Sequence, residues 1–118
     1  MTLGEKQRLF SLNLALLTIF AYENGYQLTQ GDGYRDPRLF GKVGEKKGYG
    51  HKSSSHKYRL AHDYNLFIKG KYQITTEAHR LLGEYWKDLH PLNRWGGDFK
   101  SENGADGNHY SMEHNGVM

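Results

Sequence analysis

The stretch "HKYRLAHD" (residues 56–63) opens with an imidazole and closes with an imidazole next to a carboxylate. These are the side chains that hold a divalent cation when thiols are missing. The chain has no cysteine and seven histidines. Disulfide scaffolds, thiol nucleophiles and iron–sulfur clusters are therefore excluded, and any metal must be held by His, Asp or Glu. No regular element brings His56 and Asp63 together. In a helix they would share a face but stand about 10 Å apart along the axis, too far for one ion whose bonds are about 2 Å. In an unbroken strand their odd spacing would send them to opposite faces. A site therefore needs a bend, with His56 ending a loop and Asp63 on a strand from which His62 points away. Taken alone, the pair also reads as a loop histidine and an ordinary polar strand residue.

A second constellation, "DGNHYSMEH" (106–114), adds weight to the metal reading. Asp106 precedes His109 in a turn that enters a strand, so a carboxylate and an imidazole could flank the same ion. Three protein ligands plus water is the usual make-up of a catalytic zinc site, and a nearby unligated carboxylate suits a general base. On that strand Glu113 shares a face with His109 while His114 points away, making Glu113 a supporting residue or substitute base. Asp98 in "WGGDF" is either a support for the site or a simple turn aspartate. His51 is read as solvated, and His79 and His90 as surface or capping residues.

These side chains need elements to position them. Leu9, Leu12, Leu16 and Phe20 recur at helical spacing, and Phe10, Leu14 and Leu17 widen the stripe. The expectation is a central first helix, apolar nearly all round and stopped at Gly25. "YQLTQ" (26–30) reads as a short strand and residues 31–55 as a long Gly/Ser/Lys loop of the kind that carries function. From Ala61 the chain alternates, with Asp63 and Asn65 on one face and His62, Tyr64 and Leu66 on the other, and "Lys69-Gly70" turns it into a hairpin with "KYQI". Thr75 or Thr76 caps a second helix, whose stripe of Ala78, Leu81, Leu82, Tyr85, Trp86 and Leu89 ends at Pro91. "NHYSM" is a last strand. The order points to one α+β domain over residues 1–118, a small antiparallel sheet packed with helices.

At this point the sequence resembles the family M15 zinc peptidases, which comprise D-Ala-D-Ala carboxypeptidases and phage L-alanyl-D-glutamate endopeptidases with the Hedgehog/DD-peptidase fold. Their pattern S-x-H-x-x-G-x-A-x-D, followed later by D/E-x-x-H, is matched by "SSHKYRLAHD" at Ser54, His56, Ala61 and Asp63 and by "DGNH" at Asp106 and His109. "WGGDF" also looks like the phage-type members, and the likeness runs from about Gln27 onward. Arg59 departs from the pattern, which has glycine there; this bears on the turn and removes no ligand. The resemblance implies Zn2+ held by His56, Asp63 and His109, Asp106 as base, Ser54 as a substrate contact, and an oxyanion-stabilising arginine for which "GYRDPRLFG" offers Arg35 first and Arg38 second. The chemistry implied is zinc-assisted hydrolysis of a peptide bond.

The function expected from this is a phage or prophage endolysin that cuts a peptidoglycan stem-peptide bond beside a D-amino acid. It would act as a monomer, made in the host cytoplasm and working at the periplasm and cell wall, with no signal peptide evident. A D-Ala-D-Ala carboxypeptidase or dipeptidase shares these motifs. A non-catalytic zinc-containing wall-binding or virion module is the alternative outside enzymology. The net charge of +3 suits an anionic partner. "GKVGEKKGYGHKSSSHKYR" could meet phosphates, but such loops are usually solvated; Lys52-Ser53 follows His51 rather than glycine, so it is no P-loop, and nucleic acid is not the expected partner. The apolar run 9–22 is interrupted by Ser11 and Asn13 and is too short for membrane insertion.

Overall fold

The computed structural model describes residues 1–33, 54–100 and 105–118. Helix α1 (Leu3–Glu23) begins at a capping box in which Thr2 accepts from Glu5 N at 3.1 Å and Glu5 accepts from Thr2 N at 2.9 Å. These two bonds satisfy backbone donors that the first turn would otherwise leave unpaired. Strand β1 (Tyr26–Gln30) runs antiparallel to β2 (Ala61–Ile68). Between them lies the short 3-10 helix η1 (Ser55–Tyr58). Strand β3 (Lys71–Gln73) returns from β2 through Lys69 and Gly70, both at positive φ (53° and 76°). That conformation matches the twist of a two-residue hairpin. The turn η2 (Glu77–His79) leads into α2 (Arg80–Leu89), followed by β4 (Asn93–Trp95), η3 (Gly96–Asp98) and β5 (His109–Met112).

Among the described residues the result is α+β: two α-helices and a five-stranded antiparallel sheet in the order β1-β2-β5-β4, with β3 pairing β2 beyond the stretch that β5 uses. The short strand β4 is an element beyond those expected from the sequence, since three residues carry too little alternation to mark a strand.

The core is aromatic, as the composition suggests. Trp86, Trp95 and Tyr110 are fully buried with Leu17, Leu60, Leu66, Leu82 and Met112. Phe10 and Trp86 meet edge to face at 5.5 Å between ring centroids, and Tyr110 meets Trp86 at 6.1 Å, arrangements that suit ring quadrupoles. Both indoles also find acceptors: Trp86 Nε1 donates to the carbonyls of Arg94 and Ser111, and Trp95 Nε1 to that of Gly107. Helix α1 is not central. It buries Lys6, Phe10, Asn13, Leu17 and Ala21 and leaves Leu12, Ile19 and Tyr22 about half exposed. The sheet and α2 cover one side only, so a 3.6-residue period selects one stripe, and here it is rotated from the Leu9/Leu12/Leu16 row. Among the described residues, no helix is long and apolar enough to cross a membrane.

His79 lies inside rather than at the surface: it is 2% exposed, and its Nδ1 is 2.8 Å from Tyr110 Oη. Burial pushes its pKa down from 6.5 to about 4, so the folded ring is neutral near neutral pH and shares one hydrogen bond with the phenol. An unfolded chain binds a proton at this histidine from about pH 6.5 downward while the folded chain does not until about pH 4, so stability is lost on acidification across that window. By that linkage His79 should cost the metal-free protein about 3 kcal/mol between neutral pH and pH 4. His79→Gln keeps a hydrogen-bonding group for Tyr110 without titrating, and urea unfolding at stepped pH should show a flatter slope for it. Equal slopes would remove His79 as the cause.

Candidate metal centre

The register of β2 against β5 pairs Ala61 with Ser111, His62 with Tyr110 and Asp63 with His109. Residues directly opposite in an antiparallel pair project from the same face with Cβ atoms about 5 Å apart. Asp63 and His109 are therefore neighbours by strand geometry alone.

His56 arrives by the bend that the sequence required. Ser54 is buried and its Oγ accepts from His56 N at 3.2 Å, capping η1. The element is closed by Arg59, whose N–H returns to the carbonyls of Ser55 and His56 at φ 59°, ψ 35°. This left-handed conformation is the one glycine adopts most easily. Arg59 thus forms the turn that a glycine would be expected to form, and Leu60 N→Ser55 O (3.1 Å) leads the chain into β2.

Three side-chain atoms converge. His56 Nε2 and His109 Nδ1 each lie 3.3 Å from Asp63 Oδ1, and the three atoms fall within 4.8 Å of one another. The histidines are 1% and 6% exposed. The other nitrogen of each ring faces a main-chain oxygen: His56 Nδ1 is 2.7 Å from Gly33 O, and His109 Nε2 is 2.8 Å from Met118 O. Such an oxygen only accepts, so those nitrogens carry the ring protons and, in neutral rings, the inward-facing nitrogens present lone pairs. A carboxylate oxygen and two imidazole lone pairs then face one another with no proton between them. His56 Nε2 and Asp63 Oδ1 are buried without a hydrogen-bond partner.

Unpaired buried acceptors of this kind are costly unless a cation neutralises them. Ligands at about 2.05 Å around a tetrahedral zinc are about 3.3 Å apart, which matches the two separations to Asp63. The N/N/O donor set suits zinc, and the backbone carbonyls behind the histidines are the outer partners that metal-bound imidazoles normally have. Burial pushes the Asp63 carboxyl up; a proton on the inward nitrogen of His109 or His56 would more than reverse this and hold it below the usual carboxylate range, and a bound cation would act in the same direction. His62 points away, against Tyr64 (4.6 Å between centroids), and desolvation lowers its pKa.

Asp106 is exposed in the turn before β5, where its carbonyl accepts from His109 N at 3.1 Å and its N–H donates to Gly96 O at 2.9 Å. It lines a cavity of about 220 Å³ with Asn65, Gln73, Thr76, His79 and Asn108. Asp98 is paired with Lys87 at 2.8 Å, and Glu113 accepts from Gly116 N at 2.6 Å. His90 accepts from Leu92 N at 3.1 Å, a turn-capping contact. Arg35, Arg38 and His51 lie outside the described residues. The acceptor carbonyls of Gly33 and Met118 escaped the sequence analysis because backbone acceptors leave no mark on residue type.

The "WGGDF" segment has a steric reason to be glycine-rich. A Cβ on Gly96 would collide with the Asp106 carbonyl and come within 2.8 Å of His109 Cβ. Compared with models of known families and with curated proteins, the chain gives no match.

Two outcomes follow for the site's frame. Gly96→Ala should displace the 106–109 turn, destabilising the fold by about 2 kcal/mol and lowering metal affinity, read by thermal melting and by chelator competition. Unchanged affinity would show that η3 does not hold His109. Arg59→Gly should raise stability by up to about 1 kcal/mol by relieving the left-handed backbone, with metal affinity preserved. A loss of stability would mean that the arginine side chain contributes more than its backbone costs.

Proposed function

We propose that this protein is a zinc-dependent peptidoglycan peptidase of the endolysin kind, hydrolysing a stem-peptide bond next to a D-amino acid, and that its α+β frame is the Hedgehog/DD-peptidase fold. The observation that carries the reading is the convergence of His56 Nε2, Asp63 Oδ1 and His109 Nδ1. These are the residues that the two-part motif picks out, and together they form an N/N/O donor set suited to a divalent cation. Support also comes from Arg59, which adopts the left-handed turn at the position where the motif has glycine.

In this reading His56, Asp63 and His109 hold Zn2+, which when bound supplies Lewis-acid activation of water and of the peptide carbonyl. Asp106, on the exposed turn leading into His109, takes the proton of the attacking water and returns it to the departing amine. Arg35 neutralises the oxygen charge that develops on the carbonyl, a contact that strengthens in the transition state. Ser54 orients His56 through its cap on η1. A mildly basic chain, +3 overall, is suited to an anionic wall polymer.

The test combines zinc quantification with turbidity loss of purified, outer-membrane-stripped Gram-negative peptidoglycan. Wild type should carry stoichiometric zinc and lyse the substrate, and His109→Ala should do neither. Asp106→Ala should retain zinc while lysis drops by at least about 100-fold. Zinc without hydrolysis of any muropeptide would replace the enzyme with a metal-containing binding module. Absence of metal from wild type would overturn the centre itself.

A further inference from the structure

The chain beyond β5 does not trail away from the metal centre. His114 and Val117 exchange both backbone hydrogen bonds (3.0 and 2.9 Å) around Asn115 and Gly116, which sit at φ 50° and 80°. This is a two-residue turn of the kind that Asn-Gly favours. It folds residues 113–118 back along β5, so that the Met118 main-chain oxygen accepts from His109 Nε2 at 2.8 Å and from Ser111 Oγ at 2.7 Å. A single main-chain oxygen thus accepts hydrogen bonds from a metal-site imidazole and from the next residue on the same face of the strand.

The first helix holds this turn from behind. Lys6 is only 8% exposed, and its Nζ donates to Glu113 O (3.2 Å) and to His114 Nδ1 (3.1 Å). Its neighbour Gln7 donates from Nε2 to Tyr58 O at 2.8 Å. Tyr58 belongs to η1, the element that carries His56, and its ring meets that of His114 edge to face at 5.0 Å. Burying a lysine head is unfavourable unless it is hydrogen-bonded. Here it is spent on the backbone of the turn and on a histidine that touches η1.

We propose that residues 113–118 form a positioning hook that fixes His109 in the Nε2–H tautomer, and that Lys6, with Gln7, clamps the hook and η1 together. The N-terminal turns of α1 thereby become part of the metal centre, although none of their side chains belongs to the ligand group. Hydrogen-bond partners behind a ligating histidine set its ring orientation and tautomer, and losing them typically costs about 10- to 100-fold in metal affinity. The affinity consequence rests on the zinc reading above; the tautomer assignment does not.

The experiment uses the full chain and two readouts: imidazole ¹⁵N NMR of the metal-free protein and zinc affinity by chelator competition. Wild type and Met118→Ala, which keeps the backbone oxygen, should both show His109 as Nε2–H and bind zinc alike. Gly116→Val, which strains the positive-φ turn, and Lys6→Met, which keeps the aliphatic stem but removes the donor, should both show mixed His109 tautomers and about 10- to 100-fold weaker zinc binding. Lys6→Met decides the matter if Gly116→Val does not fold. Persistence of the Nε2–H form with undiminished zinc affinity in a folded variant would overturn the hook. If wild type bound no zinc, the metal reading would fall while the tautomer comparison still judged the hook.

Discussion

The pairing of Asp63 with His109 across β2 and β5 is the constraint on which the candidate centre depends. Side chains alternate along a strand, so a one-residue slip would turn one of the two to the opposite face and leave a buried carboxylate or imidazole alone. The register is held from both sides of the sheet. On the core side Tyr110 and Met112 are fully buried; on the other side Ser111 and His109 reach the carbonyl of Met118. All four residues of β5 are buried, and the strand cannot shift without exposing aromatic surface or stranding polar groups.

Within that register the electrostatics favour a cation. Each ligand-side imidazole directs its N–H away from Asp63 to a main-chain oxygen of another segment, Gly33 for His56 and Met118 for His109. What remains inside is a cluster of acceptors. Such a cluster is unfavourable by itself and becomes favourable when a divalent ion sits among the lone pairs, so folding and metal binding should reinforce each other. The outer carbonyls arrange this beforehand by choosing the tautomers.

The aromatic core and the centre are mechanically one object. Trp86 donates to Ser111 O on β5 and Trp95 to Gly107 O in the turn that carries Asp106. Gly96 lets that turn approach closely enough for Asp106 N to reach the Gly96 carbonyl. Residues that look like ordinary packing therefore set the path of the backbone into His109, and the glycines of "WGGDF" are required by contact distance.

Much of this was legible in the residues themselves. The absence of cysteine restricted any metal to His and carboxylate ligands; the His56–Asp63 spacing excluded a single helix or strand and required a bend; alternation from Ala61 and the Lys69-Gly70 turn located the hairpin; the helical stripe through Leu82 and Trp86 located α2. These are local properties, written in residue type and period. Other features were decided only when distant segments met. The face that α1 buries, the interior place of His79, the three-residue strand β4, the strand register that sets Asp63 beside His109, and the main-chain oxygens that select the histidine tautomers all depend on partners from other segments of the chain. Backbone acceptors are the same at every position, and a strand's register is a relation between two segments, so neither can be read from one stretch of sequence.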